Sequence, residues 1–92
     1  MAETVLTRTV QLERMTSPQV KQACAEARGV AVIPVGAVEV HGPHLPVGTD
    51  SMETYEIGLR AARQAGVVLA PLIWCGNSRS FMDFSGSIAV RP

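Results

Sequence analysis

Between positions 34 and 50 the chain reads PVGAVEVHGPHLPVGTD, and three of its side chains, Glu39, His41 and Asp50, are of types that bind divalent metal ions. Glu39 and His41 are two residues apart, so in extended backbone they leave the chain on the same side with Cα atoms ~6.6 Å apart. A carboxylate and an imidazole so placed can converge on one ion or on two neighbouring ions. Asp50 follows at the expected start of a helix, where the helix dipole favours the ionised form that a metal requires. Each residue also has an ordinary reading: a loop His is commonly polar surface, and Asp is a good helix cap. Together, an ExH pair followed by an acid gathers hard and borderline donors, which favours a metal site; zinc, manganese and iron all suit such a set. His44, three residues past His41 and across Pro43, is expected to support a ligand from behind or to face substrate. The glycines at 36, 42 and 48 do not form GxGxxG and no Lys follows them, which argues against a phosphate loop.

The elements around this segment can be read from periodicity and punctuation. Ser17 and Pro18 are suited to the cap and first position of a helix, and Val20, Ala23, Cys24 and Ala27 recur at helical spacing up to Gly29. The run from 30 to 35, VAVIPV, is β-branched and apolar on both faces, as in a strand buried between two layers, with Pro34 near its end or at an edge. A second helix is expected from Asp50, with Glu53 as reciprocal cap and Gly66 as its stop. A second buried strand is expected over 67–73, VVLAPLI. Strand, helix, strand predicts parallel pairing through a right-handed crossover. Ligands of open α/β sheets bind beyond the carboxyl ends of the strands, where both the ExH loop and the turn over 75–80 emerge.

Composition narrows the function classes. Eight basic and eight acidic residues cancel and form no basic stretch, so nucleic acid is not expected as a partner. No run supplies the ~18 apolar residues of a membrane span. The first fifteen residues lack the apolar core of a signal peptide, and a soluble, cytoplasmic protein is expected. Cys24 and Cys75 form no CxxC pair and are expected as thiols. Cys24 falls on the helical stripe, where a small buried residue is the ordinary reading, and Cys75 has no His beside it to activate a nucleophile.

The segment from Pro34 to Asp50 resembles the creatininase family (creatinine amidohydrolases and related deformylases), which carries PVG-x-x-E-x-HG-P-HLP-x-x-TD after its first strand; nearly every fixed position matches over seventeen residues. The resemblance implies an α/β/α three-layer sandwich with a mainly parallel sheet, commonly assembled as a homo-hexamer. It further implies that Glu39 and His41 are metal ligands and that Asp50 bridges two divalent ions. The implied reaction is hydrolysis of a non-peptide, often cyclic, amide by a metal-activated water, with a small-molecule amide as substrate. A weaker likeness runs through WCGNSRSFMDFSGS, from 74 to 87, to the family's YG-x-S-x-x-H-x-x-FPGT. Gly76, Ser78, Phe84 and Gly86 match, whereas Phe81 stands for the His, Ser85 for the Pro and Ser87 for the Thr. The family's remaining ligands, another His and another carboxylate, follow later strands, and no His follows His44 here. Residues 1–92 are therefore expected to be the N-terminal portion of a single domain, truncated at its C-terminal end and inactive alone. The alternative classes are a non-catalytic paralogue acting as a metal-binding or subunit-packing module, and a small structural α/β protein.

Overall fold

A computed structural model describes residues 9–90. Strand β1 (Ala31–Val32) pairs in parallel with β2 (Val68–Leu69), Ala31 opposite Val68 and Val32 opposite Leu69. The expected strands over 30–35 and 67–73 are thus present, parallel and adjacent, but their regular ladder is short. Pairing resumes as a bridge between Val35 and Ile73, with the partner shifted by one residue. Pro34 and Pro71 lie in the interval, and neither has an N–H to donate, so the ladder is interrupted and one extra residue is taken up on the second strand. Beyond the interruption, Ile73 N–H donates to Pro34 O and Gly36 N–H donates to Ile73 O, both at 2.9 Å. The sheet therefore holds the chain up to the first residue of the 36–48 loop.

A third chain segment joins the sheet that the apolar runs do not announce. Gln11 bridges Leu69 in parallel, and Leu69 N–H donates to Val10 O at 2.8 Å, which puts β2 between β1 and residues 10–11. A 3-10 turn, Leu12–Arg14, follows and leads to helix α1 (Ser17–Glu26). The cap of α1 is Thr16, one residue before the expected Ser17, because Gln19 reaches back to accept the Thr16 N–H at 2.9 Å. The helix closes through Arg28 and Gly29, at φ 56° and 74°. Cys24 is exposed, contrary to expectation: the covered side of α1 is centred on Ala23 and the buried Ala27, and Cys24 lies at its margin.

Helix α2 (Thr49–Ala65) crosses from β1 to β2 and packs on both. It starts one residue earlier than expected. Gly48 takes the cap position without a side-chain bond, so neither Asp50 nor Glu53 serves as a cap. Gly66, in the left-handed conformation, ends it as read. Gly58 is the contact point with the sheet: a Cβ there would stand 3.2 Å from Leu69 Cδ1, 3.6 Å from Val32 Cγ1 and 3.7 Å from Pro34 Cβ. The absence of a side chain lets the helix lie flush on the strands, with the fully buried Ala62 one turn further on. Val32 and Pro34 face α2, while Ala31, Ile33 and Val35 of the alternate positions are exposed. The expectation of β1 buried on both faces is corrected accordingly: among the described residues only the α2 side is covered. No helix of the described residues is long and apolar enough to cross a membrane.

The junction of α2 with the two strand exits is tight. Ser51 is fully buried, and its hydroxyl donates to Trp74 O at 2.7 Å, with Ala37 O at 3.2 Å. A side chain at Gly36 would overlap both Oγ and Cα of Ser51. The indole of Trp74 covers Gly48, 3.3 Å from where a Cβ would stand.

Candidate metal centre

The 36–48 loop is shaped by bonds to its own far end and to the segment near residue 88. Glu39 N–H donates to Val47 O at 2.9 Å, folding the loop back on itself just before α2. Val38 pairs antiparallel with Ile88, whose N–H donates to Val38 O at 2.8 Å. Ser87 Oγ accepts the Val40 N–H at 2.9 Å. Gly86, at φ 88°, leaves no space between that segment and Val47, since a Cβ there would stand 2.8 Å from Val47 Cγ1.

This framework brings Glu39, His41 and Asp50 together. One ligand atom from each lies within 4.8 Å of the other two, and all three residues are half-buried. Asp50, in the first turn of α2, points its carboxylate at His41 rather than at its own helix end, with Nε2 and Oδ1 3.5 Å apart. The two side chains are 34% and 33% exposed, open enough for a small molecule to reach them and sheltered enough to be held in place. A carboxylate from the loop, an imidazole from the same extended stretch and a carboxylate at a helix N-terminus form a donor set suited to a divalent ion.

The other candidates stand apart. His44 is exposed, its ring turned back toward Gly42, and it contributes nothing to the convergent group. Cys75 is half-buried, free, and likewise outside the group. Phe81 ends a 3-10 turn, Arg79–Phe81, and is 42% exposed. Ser78, just before that turn, is buried and its hydroxyl has no hydrogen-bond partner among the described residues. An open groove of about 450 Å³ runs beside α2, lined by Met52, Glu53, Glu56, Ile57 and Arg60. It shares no residue with the cluster, and its Glu56–Arg60 pair at 3.1 Å marks an ordinary solvated helix face. Ser51 is a positioning group that no sequence pattern announces, whereas Gly36 stands in the PVG match and Ser87 in the place of the family's Thr. The matches at Gly86 and the hydroxyl-for-hydroxyl exchange at Ser87 were the available signal.

Known proteins resemble the chain in sequence and in fold. A family model described as creatinine amidohydrolase matches residues 13–92. The "Mycofactocin precursor peptide peptidase" of Mycobacterium ulcerans (strain Agy99) is 37% identical over 68 residues, covering 64% of this chain and 27% of the relative. The "3-dehydro-scyllo-inosose hydrolase" of Thermotoga maritima is 31% identical over 83 residues, covering 89% of this chain and 26% of the relative. Among solved structures, a creatininase designated Mn superposes with a TM-score of 0.84 at 24% identity, covering 91% of this chain and 35% of that one. A Zn–Zn type mutant creatininase gives 0.82 at 24% identity, covering 91% and 34%. At that identity the likeness establishes the fold. The chain spans about a quarter of the length of these curated relatives and about a third of the solved ones.

Proposed function

The chain belongs to the creatininase family, and on that premise we propose that it carries the Glu39–His41–Asp50 part of a metal-dependent amidohydrolase site. The observation that carries the proposal is the convergence of the three ligand atoms within 4.8 Å at the carboxyl end of β1. The named relatives add support, one being called a peptidase and the other a hydrolase. In this reading the reaction is hydrolysis of a non-peptide, often cyclic, amide C–N bond of a small molecule. Glu39 and His41 would hold zinc, manganese or iron, and Asp50 would be the ligand shared by two such ions in a complete site. A divalent ion bound there supplies Lewis-acid activation of water and of the amide carbonyl. The protein's own part is to fix the three side chains relative to one another. His44, at the loop surface, faces substrate. The 92 residues act as the N-terminal portion of a single domain, in a cytoplasmic homo-hexamer.

A second reading, a metal-binding or subunit-packing module without catalysis, draws on a specific observation. Only three donors converge among the described residues, and three ligands hold two ions poorly. Metal content of the purified chain, and of Glu39→Gln and Asp50→Asn, tests the site shared by both readings. Each variant should lose zinc or manganese affinity by at least about 10-fold, and equal metal retention in all three proteins would defeat the ligand assignment. An amidase assay with either metal, on this chain and on a form extended to the length of its relatives, separates the two readings. Catalysis by the extended form alone is expected.

A further inference from the structure

We infer that Ser87 is a positioning residue for the metal centre, its hydroxyl locking the peptide that lies between the two arms of the Glu39–Val40–His41 stretch. The inference rests on the proposed metal site and goes beyond it by naming a group that binds no metal and yet sets the geometry of two residues that do.

The backbone bonds make the case. The peptide unit joining Val38 to Glu39 is held at both ends: its carbonyl accepts from Ile88 N–H at 2.8 Å and its N–H donates to Val47 O at 2.9 Å. The next unit, joining Glu39 to Val40, is held by its N–H alone, and the acceptor is Ser87 Oγ at 2.9 Å, from 47 positions away in the chain. With both flanking units fixed, the Cα of Glu39 has its φ and ψ determined, and its carboxylate leaves the chain in one direction. The same bond fixes the orientation of the peptide from which the chain continues through Val40 into His41. Without the hydroxyl, the Glu39–Val40 peptide is free to rotate, and it is the hinge between carboxylate and imidazole. The neighbouring backbone bonds of Ile88 and Val47 do not involve the Ser87 side chain, so removing the hydroxyl should loosen the hinge and leave the surrounding pairing in place. A hydroxyl is the group needed: it accepts an N–H and is short enough to do so from a strand-like neighbour.

Two measurements on the whole chain test this. Amide exchange followed by NMR should show Val40 protected in the wild type and exchanging at least about 10-fold faster in Ser87→Ala, with the Glu39 amide, bonded to Val47 O, little changed. Cobalt(II), used as a spectroscopic probe for zinc, should bind Ser87→Ala about 10-fold more weakly than wild type and with altered visible bands. Ser87→Thr, which keeps the hydroxyl, should restore both the affinity and the bands. Rapid Val40 exchange in the wild type, or cobalt binding by Ser87→Ala equal to that of wild type, would overturn the inference, as would a Ser87→Thr variant as weak as Ser87→Ala. Cobalt bound equally by wild type, Glu39→Gln and Asp50→Asn would instead sink the metal-site reading on which the inference stands.

Discussion

A methyl group added at Gly36 would overlap Ser51 at both Cα and Oγ, and the backbone atom cannot swing aside as a side chain does. Gly36→Ala should therefore push the loop away from the first turn of α2 and lower stability by about 2 kcal/mol, read as a fall in the urea midpoint. Ser51→Ala tests the same junction from the other side. Loss of its bonds to Trp74 O and Ala37 O from a fully buried position should cost about 1–2 kcal/mol. Both changes act next to Asp50, so metal affinity should fall together with stability. At this scale much of the site was legible, because the two-residue spacing of Glu39 and His41 fixes their common side whatever the tertiary context. What the spacing leaves open is whether Asp50 caps its helix or joins the pair. Whether an acid caps a helix or faces away depends on where the backbone turns, and here Thr49 N–H bonds to Pro46 O and gives Gly48 the cap position.

Two glycines of α2 and its end differ in what surrounds them, and this separates packing from backbone conformation. At Gly66, φ is 70° and nothing lies within 4 Å of an added Cβ, so Gly66→Ala should cost only the left-handed conformation, about 1 kcal/mol. Gly58 is the reverse case. Leucine is the better helix former by nearly 1 kcal/mol, yet Gly58→Leu has to displace Leu69, Val32 and Pro34. It should raise the helicity of the isolated peptide and lower the thermal midpoint of the protein, with a net loss of about 1–3 kcal/mol. The elements themselves were legible from periodicity, capping residues and apolar runs. Their exact pairing was not: the one-residue shift between β1 and the Val35–Ile73 bridge arises where each strand carries a proline, Pro34 and Pro71, between its paired positions, which no single strand reveals. The pairing of residues 10–11 with β2 was missed because Thr9, Val10 and Gln11 make too short a run to stand out between charges.

Across the whole molecule, the alternate side of β1 carries Ile33 and Val35 at 61% and 54% exposure, with Ile73 and Trp74 also about half open. Contiguous apolar surface of this kind drives association, so the chain should self-associate at micromolar concentration. Ile33→Lys combined with Val35→Lys should reduce that association with little loss of folded stability, as light scattering and a thermal melt would show together. The exposed side was foreseeable in part: two parallel strands and one crossover helix leave one face open, although the run VAVIPV by itself reads as covered on both. Trp74 adds a practical property, since it is the one tryptophan of the sequence. Its ring rests on Gly48, at the cap of the helix that carries Asp50, and its carbonyl accepts from Ser51. Parting of α2 from the exit of β2 would uncover the ring edge that rests on Gly48, so emission of this half-exposed indole should shift modestly to longer wavelength when the junction separates. The protein thus carries its own fluorescent reporter of that junction, usable in a stopped-flow instrument without a dye.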